Sequence, residues 1–159
     1  MHPPAPPAEA IAAVALAKAR AVARELAAGT PAVVLGADTE VVLDGRLLGK
    51  PRDGADAARM LGELRGRIHE VITGVALVEP GGGGREETTA VTTRVTMAVY
   101  SDAEIMEYVA TGEPLDKAGA YAVQGQGGRL VARVDGCFNN VVGLPVAATR
   151  RLLERWGVL

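Results

Sequence analysis

The stretch VVLGADTEVVLDGRLLGKP, residues 33–51, carries two different signals. Its first residues continue a short, wholly apolar strand, 32–35, that runs into Gly36-Ala37-Asp38-Thr39. Its second half sets Val41 to Leu43 against Arg46 to Leu48 across Asp44-Gly45, the dipeptide that favours a tight hairpin between apolar runs. The pattern predicts a buried strand ending on an acid, then a hairpin that delivers Lys50. An acid at the carboxyl end of a strand stands where α/β folds receive their ligands. A carboxylate there can hold a divalent metal or take a proton from water.

Upstream, residues 9–28 read as an alanine-rich helix stopped by Gly29. At about 100° per residue, Ile11, Val14, Ala15, Val22 and Leu26 share a face, and Lys18 falls inside that stripe. A buried, unpaired charge is costly, so Lys18 either finds a partner or snorkels its head to water. Residues 1–8, with four prolines, read as an extended and disordered lead-in, leaving 9–159 as one domain. Downstream, Asp53 is placed to cap a helix over 54–65, with Ala57, Met60, Leu61 and Leu64 inward and Gly66 as its stop. Residues 69–78 read as a strand covered on both faces, and 88–100 as a second strand beyond the PGGGGR loop. The sequence SDAE, 101–104, is a capping box. A glycine-rich stretch, 113–128, leads to a strand at 128–134. Pro145 opens a closing helix whose buried face is Val146, Leu152, Leu153 and Trp156. Strands and helices intermingle without a linker or a repeat, which makes this one α/β domain.

Composition narrows the functions. Hydrophobic residues are 48% and charged residues 23%, as in ordinary globular chains. Aromatics at 3% leave little for base stacking, and a net charge of −2 gives no basic footprint, so a nucleic-acid partner is not expected. No apolar run approaches the ~20 residues of a membrane span, and the first residues lack the pattern of a signal peptide. A single cysteine, Cys137, fits the cytoplasm, the expected location. An exposed edge strand in a domain of this size favours pairing with a second copy as a homodimer.

Four polar residues stand among apolar or turn-like neighbours: Lys18, Asp38, Lys50 and Gln124. Two lysines and a carboxylate with a metal suit chemistry on a phosphate anhydride; a surface hairpin with ordinary charges is the plainer alternative. His69 has no histidine partner for zinc and reads as a hydrogen-bonded structural residue. Cys137 lacks a base, and Arg65 and Arg67 read as a solvated helix end.

Several segments in order, LGADTEVVLDGRLLGKPRD, LRGRIHEVITGVAL, YVATGEPLDKAGAYAVQGQGG and NNVVGLP, resemble the Maf family of nucleoside triphosphate pyrophosphatases from about Ala12 to the C-terminus. The resemblance implies a Maf/ITPase-like single domain: a mixed, elongated β-sheet flanked by helices, with a cleft between two lobes. It implies hydrolysis of a nucleoside triphosphate to the monophosphate and pyrophosphate with a divalent cation such as Mg2+. Asp38 matches the catalytic and metal-anchoring carboxylate, and Lys18 and Lys50 match phosphate-binding lysines. Thr39 and Gln124 match positions tied to the base. The segment AYAVQGQGG resembles the branch acting on dTTP and UTP, because the 7-methyl-GTP branch has a glutamate where Gln124 stands.

The front departs from the family. Its members begin with a strand and an S-x-S-P-R-R turn whose arginines join the phosphate site, and nothing here resembles them. The expectation is either a natural start further upstream or a protein that has lost a core strand and half its phosphate clamp. The latter would suit a nucleotide-binding or division-control protein with weakened turnover. Glu40 stands where the family has an apolar residue and is expected to face solvent, and Ile68 replaces a usual threonine.

Overall fold

The computed structural model describes residues 5–159. Helix α1 (Pro7–Ala23) leads into strand β1 (Val34–Leu43), short strand β2 (Arg46–Leu47), helix α2 (Gly54–Leu64), and strands β3 (Ile68–Val78) and β4 (Glu86–Met97). Helix α3 (Asp102–Ala110), strand β5 (Val131–Asp135), helix α4 (Phe138–Val142) and helix α5 (Val146–Arg155) complete the chain. The strands form one sheet in the order β2-β1-β3-β4-β5. Every pairing in it is antiparallel, where the family resemblance implies a mixed sheet. Hairpins account for this at β1–β2, joined by a tight turn, and at β3–β4, joined by the loop 79–85, since short connections join only antiparallel neighbours. No helix among the described residues is long and apolar enough to cross a membrane.

The lead-in expected over 1–8 is shorter than that. Residues 1–4 lie outside the described residues, and Pro7 and Ala8 already belong to α1, where proline is tolerated in the first turn. The face α1 buries also differs from the expected one. Ile11, Ala15, Ala19 and Ala23 are buried, whereas Val14 and Val22 are exposed. The cause is close approach: the helix backbone lies against Gly36 of β1 and Gly74 of β3. Only alanine-sized side chains fit between a helix and a sheet packed so tightly.

The expected strand at 32–35 and the first hairpin arm are one continuous strand. β1 pairs with β3 from Val34↔Val78 to Val42↔Glu70, so Gly36-Ala37-Asp38-Thr39 does not end a strand. Asp38 therefore lies mid-strand, opposite Gly74, not at a carboxyl edge. The Asp44-Gly45 turn forms as expected, with φ of 51° and 76° at its two residues. Asp53 caps α2 by accepting from Asp56 N at 2.8 Å, and the Ser101–Glu104 capping box opens α3.

The main core lies on the sheet face opposite α1, where Val41, Leu43, Val71, Val95 and Met97 meet α2 and α3 through Leu61, Leu64, Ile105 and Tyr108. α5 packs Leu152, Leu153 and Trp156 against Val75 and Leu77, while Val146 stays exposed. α4 was not foreseen as a helix. It hangs on three threonine hydroxyls from adjacent strands: Thr39 donates to Gly143 O (3.2 Å), Thr73 faces Asn140 O (3.3 Å) and Thr93 donates to Cys137 O (2.9 Å). Asn140, fully buried, returns the contact by donating to Val71 O and Val91 O, each at 3.0 Å.

Candidate active site

The period of two along β1 divides its side chains between the faces of the sheet. Val34, Gly36, Asp38 and Val42 face α1; Val41 joins the core on the other side, and Thr39 points with it. Lys18, one residue before the buried Ala19, has its side chain 55% exposed and donates from Nζ to Asp38 Oδ1 at 2.5 Å. Lys18 thus finds the partner its charge requires while its side chain stays half-exposed. Asp38 is the more enclosed member, its side chain 15% exposed.

Glu40 does not face open solvent. It is half-buried, and its Oε2 is buried without a hydrogen-bond partner. Burial first, then the neighbouring Asp38 carboxylate, pushes the Glu40 carboxyl above its usual range, while Lys18 and Lys50 pull the other way. Asp38, Lys18 and Lys50 thus all act on Glu40, and Lys18 pairs directly with Asp38. Beyond Leu48, which donates its N–H to Val41 O, β2 leaves β1 and the chain brings exposed Lys50 alongside. Sequence reasoning named Glu40 only as an oddity. The signal was its place two residues after Asp38, on the same face of a strand.

On the other face lies a cavity of ≈ 300 Å³ lined by Thr39, Val41, Lys50, Tyr121, Gln124 and Val142, among others. Lys50 reaches it from the strand edge, so the cavity adjoins the charged group. The Thr39 hydroxyl is engaged within the protein, 2.8 Å from Thr73 Oγ1 and donating to Gly143 O. Thr39 therefore holds the cavity wall in place. Gln124 is exposed at the tip of the loop that closes the cavity. Lys117 also lines it, paired with Asp116 at 3.2 Å, and is a cation that sequence reasoning passed over.

His69 is buried, with Nε2 2.7 Å from the Tyr121 hydroxyl, which makes it the structural residue expected. Burial lowers its pKa to about 4, so it is neutral at physiological pH. Arg65 pairs with Asp102 and Arg67 with Asp44, and Cys137 is a partly buried free thiol.

An α/β domain with two carboxylates on one strand, a lysine from α1 paired to one of them and a second lysine beyond β2 that lines a cavity with an amide at its rim, has groups suited to phosphate chemistry. The chain belongs to the Maf family: residues 2–156 match the Maf-like protein family. It is similar to the dTTP/UTP pyrophosphatase of Moorella thermoacetica, 55% identical over 96% of this chain and 77% of the relative. A protein of the same name from Anaeromyxobacter sp. is 54% identical over 99% of this chain and 74% of that one. Another from Dictyoglomus turgidum is 49% identical over 90% and 72%.

Proposed function

We propose that this chain hydrolyses dTTP and UTP to the monophosphate and pyrophosphate with the help of a divalent cation. The observation that carries the reading is the Lys18–Asp38 pair, joined by Glu40 and Lys50, beside the cavity that holds Gln124. The names of the relatives support the choice of substrate.

The donor set fits a hard cation. Asp38 and the unpartnered Glu40 Oε2 offer oxygens, and no group of three or more His, Cys, Asp or Glu forms a ready cage among the described residues. That suits a magnesium-type ion, which keeps several waters and binds through one or two carboxylates plus substrate phosphates. When bound, the cation neutralises charge on the phosphate oxygens. Lys18 and Lys50 hold those oxygens from the helix and from the strand edge. Asp38 Oδ2, the oxygen Lys18 does not engage, accepts the proton of the attacking water. The water oxygen bonds to phosphorus as the bridge between the α and β phosphates breaks, and pyrophosphate leaves with the bridging electrons.

Base choice falls to Gln124. Uracil and thymine offer N3–H between two carbonyls, and an amide accepts from the first and donates to a neighbour. The test is pyrophosphate release from dTTP, UTP, GTP and 7-methyl-GTP with magnesium, in the parent and in Asp38→Asn. Release from dTTP and UTP that falls ~10²–10⁴-fold in the variant is the expected result. Thermal stabilisation by nucleotide without release would replace catalysis with binding, and undiminished turnover in Asp38→Asn would remove Asp38 from the mechanism.

A further inference from the structure

Gln124 sits in a short loop, 122–125, that belongs to no strand, contains one weak turn contact, Gly125 N to Ala122 O at 3.3 Å, and runs into a 3₁₀ turn, Gln126–Leu130, begun by Gly128 N to Gly125 O at 3.1 Å. What fixes the loop comes from outside it. Glu113 Oε1 accepts from Gln126 N at 3.1 Å, and Oε2 accepts from Gly127 N at 3.0 Å. The Tyr108 hydroxyl accepts from Ala122 N at 3.1 Å and lies beside the same carboxylate, which it helps to hold below its usual range. The backbone is thus tied before Gln124 and after it to one tyrosine–glutamate unit.

The unit is itself anchored. Tyr108 is fully buried in α3, and Thr111 Oγ1 donates to Tyr108 O at 2.6 Å while accepting from Glu113 N at 3.2 Å. Contact with the loop is so close that a Cβ at Gly125 would collide with Glu113 Oε1, and one at Gly127 with the Tyr108 hydroxyl. Gly125 and Gly127 of the QGQGG run are therefore the points where the unit touches the loop. Burial alone would raise the Glu113 carboxyl. The bonds from Tyr108, Gly127 and Gln126, with the charge of Lys117, outweigh it and keep this group ionised below its usual range.

We propose that Glu113, together with Tyr108, is a positioning unit that sets base selectivity by fixing the Gln124 loop over the cavity. The inference rests on Gln124 contacting the base. An amide separates an N3–H edge from other edges only if its carbonyl and NH₂ are held to within about 0.5 Å. A loop with one weak internal bond does not hold them without help. Since Lys18 and Asp38 lie on the far face of β1, loosening the loop weakens recognition of the base more than the chemical step.

The experiment compares kcat and KM for dTTP, UTP, CTP and GTP in the parent, Glu113→Gln, Tyr108→Phe and Gln124→Ala, with melting curves for each. Tyr108→Phe keeps the buried ring and removes only the hydroxyl. Glu113→Gln keeps the shape but turns an amide donor toward backbone N–H groups. Loss of such bonds should raise KM for dTTP and UTP ~10-fold and shrink their preference over CTP by a similar factor, with kcat changed far less. Ser101→Ala removes the cap of the same helix α3 without touching the loop, and should lower the melting temperature while leaving the preference intact. Parental preference in folded Tyr108→Phe and Glu113→Gln, alongside altered preference in Gln124→Ala, would overturn the positioning role and leave the Gln124 assignment standing. Unaltered preference in Gln124→Ala would overturn that assignment and this inference with it.

Discussion

Gly36 joins the fold to the candidate chemistry, because it lies two residues before Asp38 on the same face of β1. An ideal Cβ built there would stand 2.9 Å from Ala19 Cβ and 3.0 Å from Ala19 N, with the Ala15 carbonyl oxygen closer still. Its φ is not positive, so Gly36→Ala brings no left-handed strain and tests packing alone. Two of the three obstacles are helix backbone, which cannot rotate away as a side chain would. α1 must therefore retreat by something on the order of 0.5–1 Å to restore ordinary contact. Overpacking of this kind costs ~1–3 kcal/mol, and in a domain of this size each kcal/mol lowers the melting temperature by ~2–4 °C. Lys18 rides on the same helix between Ala15 and Ala19, and its 2.5 Å contact with Asp38 lengthens with any retreat. A displacement near 1 Å in a catalytic constellation costs up to ~10²-fold in rate. Gly36→Ala should therefore melt ~2–12 °C lower and release pyrophosphate from UTP at least several-fold more slowly at 25 °C, while its preference for UTP over CTP stays parental. The assays are differential scanning fluorimetry and a coupled pyrophosphate assay. A variant that melts and turns over as the parent does would refute the claim that close approach of α1 positions Lys18.

Gly62 is the opposite case. Nothing but Arg65 Nη2, at 3.8 Å, lies near its missing Cβ inside α2, so Gly62→Ala should stabilise by ~1 kcal/mol, read as a higher urea midpoint. Asn140→Ala removes two hydrogen bonds to strand carbonyls and leaves a void under α4; a loss of ~2–4 kcal/mol in the same titration is expected. His69 gives the fold a pH dependence. The unfolded chain protonates it near 6.5 and the folded protein only near pH 4, so the unfolded state takes up the extra proton between those values. Stability therefore falls by up to ~3 kcal/mol as pH drops from 6.5 to 4, and His69→Gln should show a shallower fall.

What could be read in the sequence was local chemistry with a short range. The Asp44-Gly45 turn, the Asp53 cap and the Ser101–Glu104 box each depend on a few adjacent residues, and each formed as the spacing predicts. Segment motifs also singled out Lys18 and Asp38, which form an ion pair, and Lys50 and Gln124, which line one cavity. Apart from the start of α1, the failures involve partners distant in sequence. Ile11, Val14 and Val22 look equivalent on a helical wheel, yet only Ile11 is buried, and the stripe continues through the alanines because Gly36 and Gly74 draw the sheet close. Asp38 read as a strand end because the glycine before it resembles a turn, and only pairing with β3 shows the strand running on to Leu43. α4 is five residues long and is held by threonines up to 104 positions away, a distance no periodicity reports.

β1 also divides the candidate site, and that division can be measured. Lys18 and Asp38 act on the α1 side of the strand, whereas Gln124 closes the cavity on the other, and the two groups share no protein partner. Lys50 is the exception, since it lines the cavity and also acts on Glu40. Substitutions at separate sites without shared partners add to within ~0.5 kcal/mol, whereas those in one network couple by ~0.5–3 kcal/mol. Taking kcat/KM for UTP as the measure of transition-state stabilisation, Lys18→Met with Gln124→Ala should multiply to within about twofold. Lys18→Met with Lys50→Met should depart from the product by more, because both lysines face Glu40 and would hold the same phosphates. Strong coupling between Lys18 and Gln124, with none between the two lysines, would mean that base and phosphates meet one common surface. In that case β1 would not separate selection from chemistry.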